Sequence, residues 1–230
     1  MDTLALPGDP VINIALRRSK RARRISLRVA ERDGSVTLTL PTWAPEAEAQ
    51  AFAAEKEGWI RRALARRRPT EVVRIGDTVP VAGQALPVVA VPKGPARIQD
   101  GQILIQDSPS RFAPRLIALL KETARARLVA EADRQSAALG RPYGRITLRD
   151  TKSRWGSCSS RGDLMFSWRL IMAPPEVLDY VVAHEVAHLQ EMNHSPAFWA
   201  VVAQLYPAYE APRRWLRHEG SALLRLQFGD

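Results

Sequence analysis

The sequence predicts an α+β fold in which a basic, β-rich N-terminal region, residues 1–108, precedes a compact second domain, residues 109–230. Three observations lead to this prediction. Apolar and polar residues alternate early in the chain, which is typical of half-buried strands. Helical spacing of apolar residues becomes prominent after residue 109, and all four histidines fall in the last third of the chain.

Composition and charge place the chain among globular proteins and exclude a collagen-like, mucin-like or wholly disordered chain. Its 230 residues are 46% hydrophobic and 25% charged, with a formal net charge of +10. The basic excess lies in the first 150 residues, because residues 151–230 hold 8 basic and 8 acidic side chains. A single cysteine excludes an internal disulfide, and no apolar run reaches the roughly 18 residues that span a bilayer. Without a signal-peptide pattern, the expected location is the cytoplasm.

The β-rich region is predicted from three alternating runs, residues 12–16, 25–29 and 36–40. Asp33-Gly34 lies between the second and third runs and indicates a hairpin turn. From Pro45 to about Arg68 the spacing becomes helical.

A second β-rich stretch, residues 72–106, and a long amphipathic helix, residues 110–139, follow. The helix is expected to end near Gly140, since glycine favours that position. An Asp-Ser-Pro-Ser interruption at residues 107–110 is taken as the boundary between the two domains.

The last third is predicted to contain two strands and a helical pair. The strands are residues 146–149 and 164–171, with a polar loop between them. A helix opens at Pro174-Pro175 and is expected to end by Met192-Asn193. Ser195-Pro196 then provides an N-cap and a first-turn proline for a second helix.

The most informative motif is His184-Glu185-Val186-Ala187-His188. Residues four apart on a helix lie on one face, so His184 and His188 can bind the same metal ion. Glu185 lies about 100° around the helix from His184, where it flanks the metal and suits a general base acting on metal-bound water. A catalytic zinc takes three protein ligands and a water, and His194 is the candidate for the third ligand.

The chain resembles the YgjP-like family of zinc metallopeptidases. The likeness is carried by Thr151-Lys-Ser-Arg-Trp-Gly-Ser-Cys-Ser159, by Tyr180-Val-Val-Ala-His-Glu-Val-Ala-His188 and by Asn193-His-Ser-Pro-Ala-Phe-Trp199. It implies a zincin-like catalytic domain that binds one zinc ion through His184, His188 and His194 and uses Glu185 as the catalytic base. SprT-like and WLM proteases are more distantly similar. A peptide or protein is the substrate that this resemblance implies.

Two other functions stay open at this stage. A metal centre of this kind also suits a metal-dependent hydrolase of nucleoside triphosphates, because a polarised water can attack a phosphoryl group. A nucleic-acid-associated protein with a structural zinc is the third reading, although structural sites usually have four protein ligands.

Further candidates lie outside the histidine motif. Arg154 is a candidate for stabilising an oxyanion or anchoring a substrate carboxylate or phosphate. Packing is the favoured role for Trp155, Cys158 and Tyr180, and His218 is left out of the site. The segment from Arg17 to Arg28 holds seven basic residues in twelve, which predicts weak binding to nucleic acid or phosphate.

Overall fold

The computed structural model of the protein describes residues 2–30, 33–65, 70–151 and 153–229. The chain forms two compact units, Met1–Thr70 and Glu71–Asp230, called here the N-terminal and C-terminal units. Both units mix strands with helices, which confirms the predicted α+β class. Among the described residues, no helix is both long and apolar enough to cross a membrane.

The N-terminal unit is a four-stranded sheet covered by two helices. Its strands are β1 (Thr3–Leu6), β2 (Ile12–Ser19), β3 (Ser26–Val29) and β4 (Val36–Pro41), and its helices are α1 (Glu46–Glu55) and α2 (Glu57–Ala65). The strand order is β1-β2-β4-β3. Strands β3 and β4 pair antiparallel, and Gly34 between them has a φ of 69°, which confirms the predicted hairpin.

Two details of the N-terminal unit differ from the prediction. The expected single helix over residues 45–68 is two helices, because the backbone turns at Lys56 with φ −93° and ψ 5°. Residues 66–68 of that prediction lie outside the described part of the chain. The alternation itself is confirmed, since Ile12 and Ile14 on β2 and Val36, Leu38 and Leu40 on β4 are buried.

The C-terminal unit contains three small sheets and five helices in its described residues. Its strands are β5 (Glu71–Val72), β6 (Thr78–Val81), β7 (Gln84–Val91), β8 (Arg97–Gln99), β9 (Gln102–Gln106), β10 (Ile146–Arg149), β11 (Gly156–Cys158), β12 (Leu164–Ser167) and β13 (Leu226–Gln227). Its helices are α3 (Pro109–Leu139), α4 (Pro175–Ala187), α5 (Pro196–Leu205), α6 (Glu210–His218) and α7 (Gly220–Arg225).

The long helix α3 confirms the prediction for residues 110–139 and organises the core. It ends at Gly140, whose φ of 68° places it in the left-handed region that glycine favours at this position. One face of α3 carries Leu116, Leu120, Ala124 and Leu128, all fully buried. This face packs against α4 and against the sheet of order β6-β7-β9-β8.

The chain divides into the two units after residue 70, whereas the sequence pattern places the division near residue 108. Val79, Val88, Ile103 and Ile105 belong to strands β6, β7 and β9, and they are buried in the same core as α3. The interruption at residues 107–110 is therefore the connection from a strand to a helix inside one unit. Composition does not distinguish such a loop from a linker between domains.

The sheet that borders the histidine motif has the order β10-β12-β11. Strand β12 ends at Ser167, and Trp168–Met172 form a 3₁₀ helix, so the predicted strand over residues 164–171 is too long. The buried Arg169 in this turn donates hydrogen bonds to Asp150 and to the carbonyls of Leu223 and Leu226. It thereby fixes the C-terminal segment against the turn that precedes α4.

Candidate metal centre

Three histidines from adjoining elements meet at the end of α4. His184 lies in the last turn of α4, His188 is its C-cap, and His194 lies in the following loop. Ser195 caps α5 by accepting a hydrogen bond from the backbone N–H of Phe198, which turns the chain directly after His194. One ring nitrogen from each histidine lies within 4.8 Å of the other two. Within the described residues, no cysteine, aspartate or glutamate joins this group.

The ring nitrogens are arranged as zinc ligands require. Nε2 of His184 and Nε2 of His194 are 3.1 Å apart. Two nitrogens that share a tetrahedral zinc lie roughly 3.3 Å apart, given Zn–N bonds of about 2.0–2.1 Å. Nδ1 of His188 donates a hydrogen bond to the carbonyl of Glu191 at 2.9 Å, which leaves the Nε2 lone pair of this ring available. The donor set therefore fits zinc.

Aromatic packing holds the three imidazoles in place. The Phe198 ring centroid lies 4.9 Å from that of His184, 4.5 Å from that of His188 and 4.8 Å from that of His194. Trp199 lies 5.8 Å from His184 and 6.2 Å from His194. Nδ1 of His184 is buried without a hydrogen-bond partner among the described residues, so packing is what orients this ring.

The surroundings keep the buried imidazoles neutral. Burial, the largest cause, and the neighbouring charges of His188, His194 and Arg213 together lower the pKa of His184 to about 3. Burial also lowers the pKa of His188, although its hydrogen bond to Glu191 opposes this shift. A neutral imidazole is the form that binds a metal ion.

Glu185 is buried beside the histidines and packs against a strand backbone. Burial raises the pKa of its carboxyl group to about 8, and the positive charge of Arg154 partly offsets this rise. A Cβ atom placed on Gly156 of β11 would lie 2.6 Å from both Cγ and Oε1 of Glu185. Glycine is therefore required at this position if Glu185 is to keep its place against the strand.

A cavity of about 420 Å³ opens onto the histidines and Glu185. Its lining comes from α4, from β11 and from the loops next to them: Ser153, Arg154, Gly156, Ser157, Cys158, His184, Glu185, His188, Met192 and His194. The exposed Arg154 stands at the wall, and its backbone carbonyl accepts a hydrogen bond from the hydroxyl of Thr151. Lys152 in the same motif lies outside the described residues.

Of the remaining residues that the sequence analysis considers, three lie near the histidines and the others lie elsewhere in the structure. Trp155 is half-buried and packs against the core, and Tyr180 is buried with its ring centroid 6.0 Å from that of His184. Burial raises the pKa of the Cys158 thiol to about 11, so this cysteine is protonated at neutral pH. His218 is exposed at the end of α6. The basic segment from Arg17 to Arg28 lies on β2, β3 and the loop between them, in the N-terminal unit.

Three residues at the site, Gly156, Phe198 and Arg213, are given no role by the sequence analysis. Gly156 is distant from Glu185 along the chain, and its close approach depends on the pairing of β11 with β12. Phe198 comes ten residues after His188, and its apolar spacing with Val202 and Leu205 predicts an ordinary core position of α5. Arg213 belongs to α6, and its guanidinium carbon lies 4.2 Å from the centroid of Trp199.

Comparison with known proteins gives a family for the chain. The model of the YgjP-like metallopeptidase domain matches residues 23–219, which covers most of the chain, the histidines and Glu185. No curated protein matches the sequence. One solved structure, the metallopeptidase zymogen of Pyrococcus abyssi abylysin, is 21% identical with a TM-score of 0.36, covering 40% of this chain and 95% of its own. With the family model spanning both units, the protein belongs to the YgjP-like family of zinc metallopeptidases.

Proposed function

We propose that this chain hydrolyses peptide bonds, with His184, His188 and His194 holding one zinc ion and Glu185 acting as general base. The observation that carries the proposal is the meeting of three imidazole nitrogens, within 4.8 Å of one another, beside a buried carboxyl group. Membership of a metallopeptidase family supports the same reaction class. The three-histidine donor set supports zinc over magnesium or calcium, which prefer oxygen ligands.

The metal and the carboxyl group have separate tasks. A zinc ion at the three histidines would supply a Lewis acid that lowers the pKa of the attacking water and polarises the scissile carbonyl group. Glu185 accepts the proton of that water and returns it to the amine that leaves when the C–N bond breaks. Burial raises the pKa of this carboxyl group to about 8 in the metal-free protein, and the positive charge of a bound zinc ion would lower it toward neutral pH, where one group can both accept and return a proton.

Strand β11 is the proposed binding edge for the peptide. Strand β12 offers no free edge, because it pairs with β10 on one side and with β11 on the other. Strand β11 has β12 as its only strand partner in the described part of the chain, and its residues line the cavity. An extended peptide can therefore pair with the backbone of β11 by β-strand addition.

Arg154 is a further residue that we propose to contact the substrate. It lies at the cavity wall, and no carboxylate among the described residues forms an ion pair with it. A guanidinium group in this position can hold the developing oxyanion or a negatively charged group of the substrate. We expect Arg154→Gln to lower kcat/KM without loss of zinc; unchanged kcat/KM would exclude Arg154 from this role.

The test compares wild-type enzyme with Glu185→Gln, each offered an unfolded protein and, separately, nucleoside triphosphates. We expect both proteins to hold about one zinc ion per chain and only the wild type to cleave the unfolded protein. Loss of the general base should lower kcat by at least about 100-fold. Glu176→Gln is the matched control, because it makes the same chemical change at an exposed position in the first turn of α4.

Three results would contradict the proposal. Protein cleavage that persists in Glu185→Gln removes Glu185 from the reaction. Release of phosphate or pyrophosphate by the wild type, without protein cleavage, favours a nucleotide hydrolase. Tightly held zinc without any hydrolysis favours a structural site, although the group of three histidines lacks the fourth protein ligand that such sites usually have.

Weak binding of nucleic acid or phosphate is a separate proposal for the segment from Arg17 to Arg28. Its basic side chains are exposed, although Arg18 donates hydrogen bonds to the carbonyls of Thr42 and Ala44 and so also has a structural role. Binding of this kind is electrostatic and falls as salt rises. Retention of single-stranded RNA at low salt and its release at physiological salt is the expected result, and no retention at low salt would exclude it.

A further inference from the structure

The sheet of the N-terminal unit carries the connection between β2 and β3 past the end of strand β4. Strand β4 lies between β2 and β3 in this sheet. Ser19, the last residue of β2, pairs with Pro41, the last residue of β4. Ser26, the first residue of β3, pairs with Thr39 of β4. The connection, residues 20–25, therefore crosses the end of β4 at which the chain leaves the sheet.

This connection is strongly basic. It holds four of the seven basic residues of the segment from Arg17 to Arg28, namely Lys20, Arg21, Arg23 and Arg24. All four are exposed, and none of them forms an ion pair with a carboxylate of the described residues. Glu46 and Glu48 follow in the first turn of α1 and offset part of this charge without reversing it. The end of the sheet therefore attracts anionic ligands.

Trp43, the first aromatic residue along the chain, lies on the turn that leaves the end of β4. The backbone N–H of Ala44 donates to the carbonyl of Pro41 at 3.2 Å and closes this turn. Nη1 of Arg18 donates to the carbonyl of Thr42 at 3.3 Å and to that of Ala44 at 2.8 Å. The residues on both sides of the indole are thus tied to the basic segment.

The indole of Trp43 is open to solvent. Trp43 is 70% exposed, and within the described residues its ring makes no aromatic or cation–π contact. Packing in the core therefore does not account for a tryptophan at this position. Because its turn is held by hydrogen bonds, the indole can accept a flat ligand with little further ordering of the backbone.

We propose that Trp43 and the basic connection form a binding surface for single-stranded nucleic acid. A base stacks on the indole, and the phosphates bind the guanidinium and ammonium groups of the connection. Proteins that bind single strands without sequence preference combine aromatic rings and basic groups in this way. This inference rests on the nucleic-acid binding proposed above for the segment from Arg17 to Arg28, and it adds the kind of strand and the residue that stacks.

A single strand fits this surface better than a membrane does. Two other large hydrophobic residues are exposed in the described part of the N-terminal unit, Val11 and Trp59. Val11 precedes the first residue of β2, at the strand end remote from Ser19, and Trp59 belongs to α2. One exposed ring is enough to stack one base, whereas insertion into a membrane surface needs a continuous apolar face.

The test titrates full-length protein into a fluorescein-labelled single-stranded RNA of about ten nucleotides at low salt, with anisotropy as the readout. Trp43→Ala should weaken binding about tenfold, the effect expected from the loss of one stacked base. Trp43→Phe should keep most of the affinity, because a phenyl ring also stacks. Trp59→Ala is the matched control: it removes the other exposed tryptophan described in this unit and should leave the affinity unchanged.

A duplex RNA of the same length separates stacking from charge. Its bases are already stacked within the helix, so Trp43→Ala should leave duplex binding unchanged. Replacing both Arg23 and Arg24 by glutamine should weaken binding of both RNAs and make the affinity for the single strand less dependent on salt. The slope of log K against log salt should change by about 0.7 for each phosphate contact that is lost. Replacing Arg111 and Arg125, two exposed arginines of α3, by glutamine is the control for net charge.

Each contrary result has a distinct meaning. Equal affinity of wild type and Trp43→Ala for the single strand would overturn the stacking surface and leave the weak electrostatic binding of the segment intact. Failure of both RNAs to bind at low salt would overturn both proposals. Binding to vesicles of phosphatidylserine and phosphatidylcholine that depends on Trp43, without such binding to RNA, would assign the surface to a membrane. Peptide hydrolysis enters none of these measurements, so the proposed peptidase function is tested separately.

Discussion

At the scale of single residues, the proposed centre depends on a close contact between a glycine and a buried acid. Gly156 leaves room for the Glu185 side chain, which an added Cβ would approach to 2.6 Å. That distance is shorter than unbonded carbon atoms accept, so the side chain or the strand must move. The position of Glu185, the proposed general base, is therefore set by β11 as well as by α4.

Gly156→Ala tests this contact. We expect kcat to fall by about 100-fold, because small misplacement of a catalytic group is costly, while zinc content stays near that of the wild type. Steady-state kinetics and metal analysis on the same preparation measure both quantities. Wild-type kcat in the alanine variant would show that Glu185 does not need the space at Gly156.

The raised pKa of Glu185 predicts how the stability of the metal-free protein depends on pH. Its carboxyl group has a pKa of about 8 when buried, against 4.5 ordinarily, so the folded state holds this proton more tightly than the unfolded state. The stability that Glu185 contributes is present below pH 4.5 and is lost as the pH rises to about 8. One pKa unit corresponds to about 1.4 kcal/mol, so several kcal/mol is the upper limit.

Urea unfolding of wild type and Glu185→Gln, both with chelator, measures this dependence. The unfolding free energy of the wild type, relative to the glutamine variant, should fall as the pH rises through this range. The low pKa of His184 affects both proteins equally and cancels in the difference. A difference that is constant with pH would mean that Glu185 has an ordinary pKa.

At the scale of secondary structure, helix α5 supports the centre through Phe198. This residue is fully buried and contacts all three histidine rings. Phe198→Leu keeps an apolar side chain but loses those ring contacts, and we expect zinc affinity to fall about tenfold, as for other residues that orient metal ligands. Competition with a chromophoric chelator measures the affinity.

Phe112→Leu is the control for this experiment, because Phe112 lies in the same core on α3 and makes no ring contact with the histidines in the described structure. It should lower stability and leave zinc affinity unchanged. Equal loss of zinc affinity in both variants would show that general destabilisation, and not the ring contacts, is responsible.

The elements that the sequence predicts well are those with a strong local signal. Helix α3 has regular apolar spacing and a glycine at its end, and the hairpin of β3 and β4 has Asp33-Gly34. The 3₁₀ helix Trp168–Met172 could not be distinguished from a strand, because all five of its residues are buried and no periodicity remains. Motif spacing predicts that His184, His188 and His194 lie together, and the structure brings their ring nitrogens within 4.8 Å of one another. Gly156 and Arg213 reach the centre through tertiary contacts that spacing does not encode.

At the scale of the whole molecule, the C-terminal unit includes strands that the sequence pattern assigns elsewhere. Strands β6, β7 and β9 supply fully buried residues to the core of α3, including Val79, Ile103 and Ile105. A fragment of residues 71–230 retains this core, whereas residues 109–230 lose it. We therefore expect the longer fragment to unfold cooperatively and bind zinc.

The shorter fragment should expose the apolar face of α3 and aggregate or remain molten, because one side of its core is missing. Circular dichroism melts and zinc binding of the two fragments measure the difference. A shorter fragment that melts cooperatively and binds zinc as tightly as the longer one would place the boundary near residue 108, as the sequence pattern does.

The central claim is that three histidines hold a zinc ion whose remaining position faces Glu185 and the cavity. A crystal structure of the zinc-loaded protein tests it most directly. The account predicts one ion about 2.0–2.1 Å from a ring nitrogen of His184, His188 and His194, with a water as the other ligand. A zinc ion with a fourth protein ligand such as Cys158 in place of the water would contradict it. So would a zinc ion that His194 does not bind.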